Sequence, residues 1–402
     1  MHFLKKNIKF FALIIATALL LTSIFKHLIH NNSQGNLYSV QSEAFINKRL
    51  DISKQYYDSA EYQGHYYVPF PPFPSVLLLP FVYLFGKDHT NVVIISTLLT
   101  ICNLCILLSI FKKLDLNRNN SIWLIMAFLM GTAYWIALKL SGGVWYFSHI
   151  VSVTALLLAI NEALGKGRGI LVGVYLGMAV LSRQLTIYAL PFLFMILWQN
   201  HSDLKRSVKI SKLACFVAAV FFFEGVYCLM NWMRFQDPFD TGYSYIILKG
   251  FLKERVDKYG LFNIVYVPFN FIYLFLQGFH IEFKGLYYLT PHCLDPFGTS
   301  LIFASPFIFI AGWAKWDNKI LFAAWFAIAL MILHSLFYYS NGFYQINSQR
   351  FSLDYLPILI VLVALGSKRV DERIWKSLIV YSICLNIIAT FLCSEQIFES
   401  AG

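Results

Sequence analysis

An all-α polytopic membrane protein is the fold class this 402-residue chain predicts, and three observations predict it. Hydrophobic residues make up 58% of the sequence and charged residues 13%, with 38 Phe, which leaves too little polar surface to solvate a globule. Apolar runs of the length that a ~30 Å hydrocarbon core requires of a helix recur along the chain. Lys and Arg gather in the connections at one end of those runs, the signature of short cytoplasmic loops.

Taken in order, the runs predict about eleven spans: 8–25, 91–111, 121–138, 147–164, 169–181, 185–199, 212–230, 299–313, 320–339, 353–366 and 374–393. The first has the outline of a signal peptide, but no small-residue cleavage site follows 21–30, so it is expected to be retained. With the N-terminus inside, the basic clusters fall on one side: Lys5/Lys6/Lys9, Lys112/Lys113/Arg118, Lys166/Arg168, Lys205/Arg206/Lys209/Lys212, Lys315/Lys319 and Lys368/Arg369/Arg373/Lys376. That side holds about 18 of the 32 basic residues and about 6 of the 21 acidic ones. The net charge of +11 is therefore a topology signal and argues against nucleic-acid binding. Six of the seven Cys lie in apolar runs, where Cys packs as a small hydrophobe, and Cys293 lies in a loop. The spacing suggests neither a disulfide framework nor a metal knuckle.

Residues 1–402 read as a single integral membrane domain with two long outer loops, 27–90 and 231–298. Long loops of this kind usually carry function. Within the second, 261–279 is apolar enough to span, but a crossing there would place Lys315 and Lys319 outside; an interfacial helix is expected instead. In the first, 38–50 is expected to form a weakly amphipathic helix. It is followed by the carboxylates Asp51, Asp58 and Glu61, with Glu43 upstream. Paired carboxylates do acid/base work or hold a divalent cation, but on an aqueous loop they are more often only solvated. A ledge of prolines and aromatics, Tyr66 to Gly86, cannot continue a helix before Phe73.

Charged groups at span ends complete the outer inventory. GGVWYFSH ends at His149 and reads either as a site element or as an interfacial aromatic belt. LSRQ places Arg183 and Gln184 at the outer end of a span, where an arginine marks a substrate pathway or snorkels to headgroups. NWMRFQDPFDTGYSY supplies Arg234, Asp237 and Asp240, the arginine suited to a phosphate and Asp237-Pro238 to a turn. Arg350 and Asp354 stand four apart at the start of a span and are expected to pair. These groups are expected to converge at one membrane face. A transporter or lipid flippase would instead carry mid-span charges, of which Glu224 is the main one, and related halves. A noncatalytic scaffold would need no arginines at span ends.

The ledge YYVPFPPFPSVLLLPFVYLFG and the runs GTAYWIALKLSGGVWYFSH, GMAVLSRQLTIYALPF, DPFGTSLIFASPF and NGFYQINSQRFSLDYLP, in this order, resemble the GT-C superfamily of polytopic glycosyltransferases. The similarity is to bacterial members near the protein mannosyltransferase and aminoarabinose transferase groups. The resemblance implies a sugar donor carried on polyprenyl phosphate, and a glycan, lipid or protein acceptor. It further implies a site facing outward from the bacterial cytoplasmic membrane. It implies no certain cofactor and leaves a divalent cation open. Superfamily members often carry a carboxylate just after the first span, where this chain reads NNSQGNLY. The base therefore falls to Asp51 or Asp58, and Asp51→Asn is expected to abolish transfer. Arg183, Arg234 and Arg350 would hold the phosphate, with Gln184, Asp240, Asp354, Glu61 and His149 around the substrate. Tyr66, Tyr67 and Trp145 would flank the sugar or the prenyl chain. One carboxylate suffices, because a departing lipid phosphate is already a stable anion and needs no general acid.

Overall fold

The computed structural model describes residues 15–19, 21–25, 28, 36–200, 205–295, 297–342 and 348–392. Much of the expected span 8–25 and of NNSQGNLY lies outside the described residues, as do 343–347 and Pro296.

The first loop opens with α1 (Leu37–Ile46). Asn36 caps it by accepting from the Tyr38 N–H at 2.9 Å, while its own amide donates to Gly142 O at 2.7 Å. Tyr38, Gln41 and Ser42 are buried, so α1 packs inside the protein rather than lying on a surface, and it stops at Ile46 rather than at Leu50. Strands β1 (Ala60–Tyr62) and β2 (His65–Tyr67) pair antiparallel with Glu61 opposite Tyr66. Helix α2 (Phe73–Phe85) then starts with Pro72 at its N-cap and Pro74 in its first turn, where a missing N–H is harmless. The proline ledge is docked by the Phe73 N–H, which donates to Leu181 O at 2.8 Å.

Helix α3 (Val92–Lys113) is capped by Asn91 and closes on Lys112 and Lys113, cations at the negative end of its dipole. The expected span 121–138 is two helices, α4 (Arg118–Met130) and α5 (Tyr134–Lys139), because the chain breaks at Gly131. Side chains from other segments satisfy the freed carbonyls: Asn386 donates to Met130 O at 2.6 Å and Ser305 to Gly131 O at 2.7 Å. Without such partners a break at membrane depth would be costly. Helix α6 (Val144–Ala163) is the hub, with 78% of its apolar window buried against protein.

Helix α7 (Gly169–Val180) rises from the same end, turns through Leu181–Arg183, and returns through a 3-10 segment, Gln184–Ala189, into α8 (Leu190–Asn200). The return is marked by Asn200, whose amide donates to Ala163 O at the end of α6. Helix α9 (Arg206–Phe235) has 22% of its window buried and so turns most of its apolar surface outward. Its close approach to α7 depends on Gly169 and Gly173, where a Cβ would collide with the carbonyls of Lys212 and Phe216.

The second loop carries α10 (Gly250–Tyr259), none of whose residues is buried, and a hairpin of β3 (Ile281–Lys284) and β4 (Thr290–Leu294). Its apolar stretch forms short 3-10, α and π turns over Ile264–Leu276. The buried Asn270 donates to Leu336 O and Tyr338 O at the end of α11 (Asn318–Phe337). The expected span 299–313 is broken at Ser305, with a 3-10 segment over Pro306–Trp313. Pro357 in the first turn of α12 (Leu356–Ser367) stops that helix from extending upstream; α13 (Glu372–Leu392) follows.

Among the described residues α3, α6, α9, α11 and α13 are long and apolar enough to cross a membrane unaided, with shorter apolar helices such as α2, α7 and α12 between them. The architecture is a helical polytopic membrane protein. Shortness has a consequence. Helices α7 and α12 have 12 residues each, a rise of about 18 Å against a core of about 30 Å. Both start or end at basic clusters, and their opposite ends meet at a recess lined by Ser182 and Arg183 after α7 and by Arg350 and Phe351 before α12.

Candidate active site

That recess holds a cavity of about 190 Å³. Its floor comes from the α7 turn, with Ser182, Arg183 and Gln184, and from the first turns of α6, with Trp145 and Ser148. Asp58 and Tyr57 of the first loop form one wall, and Arg350 and Phe351 another. The strap Thr241–Leu252 of the second loop roofs it.

Arg183 sets the electrostatics of the floor. Its Nε and Nη2 donate to the two carboxylate oxygens of Asp354 at 3.1 and 3.0 Å, and His149 Nδ1 lies 3.1 Å from the same carboxylate. Asp354 and His149 are fully buried and neither lines the cavity. The expected pair between Arg350 and Asp354 does not form. Residues Arg350–Asp354 make a 3-10 turn, in which positions four apart point about 120° away from each other, where an α-helix would bring them within about 40°. Arg350 instead donates to Gly342 O at 3.0 Å and stacks 4.9 Å from the Trp145 ring.

Asp58 is the carboxylate that faces the cavity. Its φ of 63° puts a non-glycine residue in the left-handed region, a conformation held at a cost by its surroundings. Burial pushes its carboxyl up to about 7, against the opposing pull of the Arg350 charge and the Trp145 indole. Such a group sits in the range where a general base works best at neutral pH.

Several sequence candidates lie elsewhere. Asp51 is bound on the loop surface by Arg49, at 3.1 and 2.6 Å, which holds its carboxyl below the usual range. Glu61 is exposed on β1, and Tyr66 and Tyr67 on β2 are half-buried outside the cavity. Arg234 is buried as a strut: Nη1 donates to Val68 O and Nη2 to Asn231 Oδ1, both at 2.6 Å, which ties the first loop to α9. Asp240 accepts from the Gly242 N–H at 2.8 Å and shapes a turn. Gln184 does line the cavity, with its amide donating to Tyr227 at 2.7 Å. Tyr38, Tyr243, Lys249 and His334, which the sequence does not single out, line the cavity too. They sit in apolar or loop contexts with no local pattern to mark them. Among the described residues no three His, Cys, Asp or Glu side chains come together to hold a metal.

No protein-family model matches the chain, and no curated protein matches it in sequence. Solved structures do match. ArnT from Cupriavidus metallidurans bound to undecaprenyl phosphate superposes with a TM-score of 0.52 at 14% identity, over 91% of this chain and 62% of that one. ArnT in the apo state gives 0.51 at 13%, over 91% and 61%. The chain shares the polytopic fold of these ArnT structures and spans about 62% of the length of ArnT.

Proposed function

We propose that the protein is a glycosyltransferase that moves a sugar from polyprenyl phosphate to an acceptor hydroxyl at the outer face of the membrane. The observation that carries this reading is one recessed cavity that gathers a carboxylate poised near neutrality, Asp58, with two arginines from distant segments, Arg183 and Arg350. The base is assigned to Asp58 rather than to Asp51, which is engaged by Arg49 outside the cavity.

In the reaction, the acceptor oxygen attacks the anomeric carbon and its proton passes to the Asp58 carboxylate. The bond from that carbon to the phosphate oxygen breaks, and the electron pair leaves with the polyprenyl phosphate. Charge grows on the phosphate as the bond opens, and a guanidinium already in place stabilises it without reorganisation. The recess suits a donor whose prenyl chain stays in the bilayer, because the reacting phosphate need not climb to the aqueous surface. The aromatic lining, with Trp145, Tyr57 and Tyr243, offers ring faces to a sugar.

The test uses the full chain in nanodiscs with a polyprenyl phosphate carrying a radiolabelled sugar. Release of free polyprenyl phosphate together with a labelled acceptor, lost in Asp58→Asn, supports the reading. Movement of intact lipid-linked sugar between leaflets without bond cleavage would replace it with transport.

A further inference from the structure

Arg183 joins three segments that are remote in sequence. The guanidinium sits on the α7 turn, Asp354 precedes α12, and His149 lies in α6. The arginine and the carboxylate meet fork to fork, through Nε at 3.1 Å and Nη2 at 3.0 Å, a geometry that fixes the guanidinium plane. An ionised carboxylate only accepts, so the imidazole donates from Nδ1. Among the described residues His149 Nε2 is buried without a partner, so the ring is tethered through Asp354 at one nitrogen.

A buried ion pair is weak evidence for stability, since an apolar substitute of similar size is often as stable. Orientation is the better account here. With Nε and Nη2 committed, Nη1 is the remaining nitrogen of a side chain that lines the cavity, and Phe351 stacks on the guanidinium 5.3 Å away.

We propose that Asp354, steadied by His149, is a positioning residue that fixes the guanidinium plane of Arg183 so that Nη1 meets the phosphate of a polyprenyl-phosphate ligand. This rests on the transferase reading and departs from the sequence expectation that Asp354 and His149 touch substrate themselves. The two act through Arg183 alone.

A double-mutant cycle tests it, with undecaprenyl phosphate binding to the full chain in nanodiscs as the readout and thermal melting followed in parallel. Asp354→Asn is expected to weaken binding about tenfold, the scale of one charge-assisted hydrogen bond. Arg183→Gln is expected to weaken it at least as much. In the Arg183→Gln background, Asp354→Asn is expected to change affinity no further, since it has nothing left to orient. His149→Gln loosens the carboxylate without removing it and carries the same cycle should Asp354→Asn not fold. An unchanged affinity in a folded single variant, or an equal loss in both backgrounds, overturns the proposal and leaves a structural pair. A wild-type protein that binds no undecaprenyl phosphate sinks the transferase reading and takes the proposal with it.

Discussion

The floor and the roof of the cavity are held by different physics. The floor is a buried ion pair and an imidazole set on packed helices, with α7 pressed against α9 through glycines and α12 against the 3-10 segment Pro306–Trp313, where a Cβ on Gly366 would strike Ile310 O. The roof is a strap whose backbone ties to the first loop are a bridge between Ala60 and Ile246 and a 3.4 Å bond from the Ile247 N–H to Ser59 O, with ring contacts of Tyr245 on Tyr62 and Tyr243 on Phe70, followed by a helix with no buried residue. Charges that must be in place before reaction belong on the rigid side. Segments that admit and release substrate are drawn from the weakly anchored side.

The sharpest way to break this contrast is at the wall between them. Asp58→Asn is expected to lower the transfer rate by roughly 10²- to 10⁴-fold, the usual contribution of a general base. Asn accepts the left-handed backbone well, so folding should survive. Product formation by the purified variant at saturating donor is the measurement, and full activity would remove Asp58 from the mechanism.

The same carboxylate links function to pH. Wild-type activity is expected to rise as pH passes through about 7, because the working form is the ionised one. Stability should move the other way. The folded state binds the Asp58 proton more tightly than the unfolded chain, whose carboxyl titrates near about 3.9. The stabilising contribution is complete below that value and is lost as pH rises to about 7. Melting followed from pH 4 to 8 in wild type and Asp58→Asn should show the variant free of that decline.

On the floor side, Gly173→Leu forces α7 from α9 and is expected to cost about 1–3 kcal/mol of stability or more, as overpacking does. Arg183 should be displaced with the helix, so phosphate binding should weaken along with melting temperature. On the roof side, Arg255→Ala removes a 3.1 Å bond to Tyr339 O and the stacking on Phe251 and Phe269. Its expected effect is about 1 kcal/mol, seen as a severalfold change in KM with kcat nearly kept. A larger effect on kcat than on KM would place the roof among the rigid parts. Smallest of all, Asp51→Asn breaks a surface pair worth about 0–1 kcal/mol and should leave transfer within about twofold.

Several particulars of the site were legible before any coordinates. Arg183, Gln184 and Arg350 stand at the ends of apolar runs and Asp58 in the acidic stretch of the first loop, and all four line one cavity. The choice between Asp51 and Asp58 was not legible, because both lie in the same short acidic stretch and differ by which one turns toward Trp145 and Arg350. Nor was the partner of Arg183. Spacing favoured Asp354 for Arg350, and a 3-10 turn redirected it to an arginine 171 positions earlier. Arg234 had the right chemistry for a phosphate and is consumed by Val68 O instead.

The sequence by itself determined that this is a helical polytopic membrane protein. Transfer of apolar side chains into hydrocarbon and the retention of lysines and arginines near one surface are properties of each short stretch, additive along the chain. Tertiary structure alone decided where helices break, which carboxylate meets the cavity and which arginine is clamped. Those outcomes depend on segments more than a hundred residues apart arriving within about 3 Å of one another, a distance at which hydrogen bonds form and local pattern has nothing to say.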